Sequence, residues 1–242
     1  MDADSMTLAA MVFLLAGAVK GAIGLGLPTI SVGLLALVMP PAEAAALLIL
    51  PSVVTNIAQA SGPALRPLLA RLWPMLAAIV PGTLAGSFVI GGAAALPALG
   101  LALLAYAAWG LATPPLTLPP TIERRSAVPV GIAGGLVTGA TGVFVIPVVP
   151  WLTALGLTRD ALVQAMGLGF LVATVALAGG LALQGGVSTG LAWGSALVVA
   201  PALGGQWLGA KLRGALPPAL FRRAFFLALL LLGAQLAWRG LA

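Results

Sequence analysis

Apolar residues fill this chain in runs close to the twenty-residue length that crosses a bilayer as a helix. Short polar or glycine- and proline-rich stretches part the runs. Six have ordinary span length: 42–61, 68–91 and 95–112, then 160–183, 188–210 and 218–239. Two others, 6–38 and 127–155, are too long for one span and too short for two. At ~1.5 Å per residue, about fifteen residues reach the midplane and another fifteen return. Glycines with Pro28 or Pro147 fall near the middle of each long run, where a hairpin would turn. The pattern predicts an all-α, polytopic integral membrane protein.

The runs also repeat. "KGAIGLGLPTI" laid over "TGATGVFVIP" matches Gly21 to Gly139, Ala22 to Ala140 and Gly24 to Gly142. Pro81 then falls opposite Pro201, and Leu96-Pro97 opposite Leu216-Pro217. The nearly constant offset of about 118–120 residues divides the chain into a first repeat, 1–112, and a second, 127–242. The proline-rich stretch "TPPLTLPPTIERRS", 113–126, reads as a cytoplasmic linker. Each repeat is then a re-entrant or broken-helix hairpin followed by three transmembrane helices.

Charge changes this picture by giving it a direction. Only 7% of residues are charged against 61% hydrophobic, and mean hydropathy is +1.16, so the net charge of +6 is read as topology and not as nucleic-acid binding. Arg66 and Arg71, the linker pair Arg124 and Arg125, and the group Lys211, Arg213, Arg222 and Arg223 mark cytoplasmic ends. The loops "IGGAAALP" and "LQGGVSTG" carry no basic residue and belong outside. An inside linker and an outside 184–189 loop need an odd number of crossings, which a hairpin plus one span supplies. The same count places the acidic N-terminus outside and inverts one repeat relative to the other. Eight plain spans in parallel repeats, with the glycines serving close helix packing, are the alternative. Trp73, Trp109, Trp151, Trp193 and Trp238 lie near segment ends, as interface anchors would. The first residues have no basic n-region, so a cleavable signal peptide is not expected.

With no cysteine and no histidine, disulfides, thiolate chemistry and histidine catalysis are excluded. No metal site or cofactor is expected, and no P-loop sequence occurs. The candidate chemistry lies in the broken runs. Helix N-termini at a hairpin tip suit anions. Pro28 and Pro147 are placed to open the returning helices, and Gly21, Gly24, Gly26, Gly139 and Gly142 allow close approach to backbone. Lys20, a charge inside an apolar run, reads as the anion's counter-charge, or else as a stem snorkelling to an interface. Its repeat mate is Thr138, and Thr141 adds a hydroxyl. Asn56 and Thr174 align in the repeat, and Asn56 reads equally as a neutral donor or as packing. Ser52 and Gln206 read as interhelical hydrogen-bonding groups. Glu43 and Asp160 open helices in matching places. Favourable charge at a helix start is their plain reading, and proton coupling the sharper one.

"GAVKGAIGLGLPTISVGLL", "PPAEAAALLILPSVVTN" and "GIAGGLVTGATGVFVIPVVPWLTALGLTRDALVQA" together resemble the sulfite exporter TauE/SafE family. The resemblance spans almost the whole chain, including its duplication. It implies a bacterial inner-membrane transporter, an exporter of sulfite, sulfonates or related organosulfur acids. The family's first glycine–proline motif falls on Gly21, Gly24, Gly26 and Pro28, its second on Gly139, Thr141, Gly142 and Pro147. Val143 and Phe144 stand where the second motif would have further glycines. The expected partners are a small anionic substrate, the lipid bilayer and a second copy of the chain. An anion channel, a transporter of small carboxylates and, last, a membrane enzyme are the alternatives.

Overall fold

Three residues with unusual backbone requirements decide where the first long run breaks. Gly24 (φ 82°) and Gly26 (φ 113°) adopt the left-handed region that other residues avoid, and Pro28 stands in the first turn of the helix that follows. The run becomes α1 (Ala3–Ile23) and the short α2 (Leu27–Leu35). The structure, a computed structural model, describes residues 3–112, 117–186, 188–212 and 218–241. It continues with α3 (Pro41–Ala60), α4 (Leu65–Ile90), α5 (Ala95–Ala112) and α6 (Pro120–Thr141). The remainder is α7 (Val148–Thr153), α8 (Arg159–Leu183), α9 (Thr189–Leu197), α10 (Val199–Leu212) and α11 (Pro218–Leu241). All elements among the described residues are helices.

Six stretches are long and apolar enough to span a membrane: α1 from Asp4, α3, α4, α5, α8 and the joined run Thr189–Leu212. Four of these, α3, α4, α5 and α8, match the expected spans closely, and α1 is the first part of the long run 6–38. The sixth is interrupted at Val198, where α9 gives way to α10. α6 begins at Pro120, so the second part of the stretch read as a linker is helix. The Leu216-Pro217 match and Arg213 lie outside the described residues.

The first long run is parted into helices of 21 and 9 residues, in place of the two equal arms of about fifteen expected from the pattern. The reason is that Gly17 and Gly21 do not break α1. A Cβ on Gly21 would lie 2.1 Å from the backbone oxygen of Gln206, so these glycines let α1 lie directly on α10. Gly131, Gly135 and Gly139 do the same for α6 on α4: Gly131 meets Met75, and Gly139 meets Thr83 and Ser87. Both contacts run parallel, since residue numbers rise together along the two helices. The pairs α5–α11 and α3–α8 instead run antiparallel. On α5 and α11, Gly100 meets Ala237 while Gly110 meets Phe226; on α3 and α8, Ser52 meets Thr174 while Gln59 meets Val163.

Pro51 interrupts α3 from within. It cannot donate to the Leu47 carbonyl. Ser195 of α9 fills the gap, donating to that carbonyl at 2.9 Å and accepting from the Leu50 N–H at 3.1 Å. Trp73, Trp193 and Trp238 are exposed on the apolar surface, as is Trp207 under Lys211. Trp151 departs from the anchor role: it is buried, and its indole N–H donates to Ser126.

Candidate functional site

Ser52, Thr55 and Asn56 share one face of α3 by their i, i+3, i+4 spacing, and all three are buried. Lys20 reaches this face from α1, one turn before the break at Gly24. It is 3% exposed, so its stem does not snorkel to water within the protein's own surface. Its ammonium donates to the Thr55 hydroxyl at 2.9 Å and to the Asn56 carbonyl oxygen. The Asn56 amide then donates to Ser52 at 2.9 Å, and Ser52 meets Thr174 of α8 at 3.0 Å. Thr174 spends its own proton on the Phe170 carbonyl at 2.7 Å, so Ser52 is the donor to it. The bonds therefore all point one way, from Lys20 through Asn56 and Ser52 to Thr174.

This network lies where α3 and α8 cross near their middles. The electrostatics there are unbalanced. Two of the ammonium's three donors are engaged, both with neutral groups. Among the described residues the ion pair is Arg71–Glu123 at 2.7 Å, and it involves neither Lys20 nor its neighbours. Burying a charge without a counter-charge is costly.

The two hairpin tips do not converge on this site. Gly24 lies against Val163 and its carbonyl accepts from Gln59 at 3.1 Å, beside the C-terminal end of α3. Gly142 lies against Ala45 and Val32, near the beginning of α3. Gln59 and Ala45 stand roughly 20 Å apart along that helix. The structure therefore does not bring the two tips together at one place along α3. Unbroken α1 and α6 carry the two tips past the middle, toward opposite ends of the bundle.

The individual candidates divide accordingly. Lys20 and Asn56 meet; Gly24, Gly26 and Pro28 form the tip one turn beyond, where Gly26 precedes α2 without a side-chain cap. Gly21 and Gly139 serve close helix packing. Thr138 turns its hydroxyl to the Gly134 carbonyl at 2.7 Å. Thr141 donates to Val137 and accepts from the Val143 N–H at 3.1 Å, closing the end of α6 where Gly142 is left-handed. Pro147 follows a cis bond and precedes α7, a helix of only 6 residues. Val143 and Phe144 are buried at this second tip, and Phe144 packs on Phe170. Glu43 and Asp160 stand in the exposed first turns of α3 and α8, as helix-start acids do, and bond to nothing in the network. Thr55, Ser52 and, across on α8, Thr174 are the members that the sequence did not assign to the site. The face that Ser52 and Thr55 share with Asn56 was the available signal.

A family described as "Sulfite exporter TauE/SafE" matches residues 9–236. No curated protein and no solved structure matches the chain.

Proposed function

The chain belongs to the sulfite exporter TauE/SafE family, a family of membrane transporters, and on that premise we propose that it carries a small sulfur oxyanion, sulfite or a sulfonate, across the bacterial inner membrane. The anion binds at the third donor of Lys20, with Asn56, Thr55 and Ser52 as neutral groups that hold the ammonium in place. One observation carries this reading: a buried lysine in an apolar bundle whose partners are all neutral. Outward movement follows the family's description.

The arrangement of helices supports an inverted repeat. Corresponding helices run antiparallel, α3 with α8 and α5 with α11, and the first helix of each half lies on the later span of the other. The network then sits close to the pseudo-two-fold axis, where inverted-repeat transporters form their sites. A channel fits less well. The polar chain ends at Phe170, whose ring packs on Phe144, and does not run from face to face.

Proteoliposomes preloaded with unlabelled sulfite test the reading. Protein-dependent exchange for external radiolabelled sulfite, competed by sulfonates and not by acetate, is the expected result. Exchange no faster than in protein-free vesicles refutes it, and competition by acetate alone moves the substrate to carboxylates.

A further inference from the structure

Small residues four apart, Ala224 and Ala228, notch the lipid-facing side of α11. Opposite them, α1 and α2 leave a lateral groove of about 280 Å³ whose floor is Ile30, Phe225 and Leu229 and which ends at Leu232. Its lining is almost wholly carbon. The floor residues are buried, while Ala224 and Ala228 at the mouth are exposed. We propose that this groove holds one acyl chain of an anionic phospholipid of the cytoplasmic leaflet, with its headgroup at Arg222 and Arg223.

Two independent features select this occupant. The first is depth. From Ala224 to Leu232 the groove descends roughly 12 Å along α11, against the ~15 Å that one leaflet's hydrocarbon offers. The second is charge at one end only. Arg222 and Arg223 are exposed in the early turns of α11, directly before the mouth, and the groove itself has no charged lining. Arg222 also shares a helical stripe with Phe225, Leu229 and Leu232, so headgroup and chain would lie in line. This end of α11 follows the basic segment after α10, which the distribution of lysine and arginine places in the cytoplasm. A lipid there would cover Leu34, the one residue of α2 that is only partly buried. The proposal does not rest on the transported anion.

Protein equilibrated with equimolar POPG and POPC vesicles, then extracted in mild detergent and examined by native mass spectrometry, provides the test. Wild type retains lipid with POPG enriched over POPC, and each of Arg222→Gln and Arg223→Gln lowers that enrichment by about fivefold. Ala228→Leu and Ala224→Leu, both at exposed positions, lower retention of both lipids by filling the groove. Equal retention of POPG and POPC by wild type overturns the headgroup assignment. Unchanged retention in both leucine variants overturns the groove. A dimer signal that these variants abolish would give the groove to a second copy of the chain and equally overturn the proposal.

Discussion

Lys20 holds two neutral acceptors and Asn56 uses both ends of its amide, so substitutions here separate binding from folding. Asn56→Leu removes one acceptor from the ammonium and the donor to Ser52. Sulfite affinity should fall by ~1–3 kcal/mol in isothermal titration, while Thr55 still anchors the lysine. Unchanged affinity would assign Asn56 to packing. Thr141 should behave differently, because its hydroxyl closes the second tip, far along the bundle from Lys20. Thr141→Val should lower thermal stability by ~1 kcal/mol and leave sulfite affinity alone; a loss of affinity would bring the second tip back into the site. At this scale the sequence exposed the lysine, because a charge within an apolar run has no bland neighbour to hide behind. Ser52 was harder. An isolated serine in a span reads as a packing bond, and such a bond is formed, but its partner Thr174 and its link to Asn56 emerge only from the crossing of α3 and α8.

Several helix pairs in this bundle touch through glycine. A methyl on Gly21 would meet the Gln206 backbone oxygen at 2.1 Å, and one on Gly139 the Thr83 oxygen at 2.2 Å. Backbone cannot swing aside as a side chain can, so Gly21→Ala and Gly139→Ala should each cost ~1–3 kcal/mol. Gly91, which has nothing within 4 Å and no left-handed φ, supplies the contrast: Gly91→Ala should stay within ~0.5 kcal/mol. Thermal melting of detergent-solubilised protein orders the three, and a Gly21→Ala melt equal to that of Gly91→Ala would remove the close-contact account of α1 on α10. Span lengths were legible because hydropathy sets them directly. Hairpin shape was not, because the same glycines can either break a helix or let another lie against it. Gly24 and Gly26 break; Gly17 and Gly21 pack. Local sequence does not separate these uses, since the difference lies in whether α10 is there.

Antiparallel pairing of corresponding helices gives the whole molecule a direction that membrane topology can check. With no native cysteine, Arg125→Cys and Ser188→Cys report cleanly, both positions being exposed. An impermeant thiol reagent should label them from opposite faces, Ser188→Cys from the outside. Labelling from one face would return the molecule to parallel repeats. The inside and outside assignments rest on arginine and lysine alone, because few charges occur and most lie in loops or helix ends, and the labelling is what tests them. What the sequence could not provide was the distance between the two tips, which depends on how far α1 and α6 run before turning. That distance moves the proposed site from two tips to one lysine and the crossing of α3 with α8. The account therefore stands or falls on Lys20. Sulfite binding by scintillation proximity on folded, monodisperse Lys20→Met, which keeps the stem and removes the charge, is the most direct measurement. The account predicts affinity about tenfold to a hundredfold below wild type, the loss expected for a charge-assisted bond, with Lys20→Arg between the two. Wild-type affinity in Lys20→Met would contradict it.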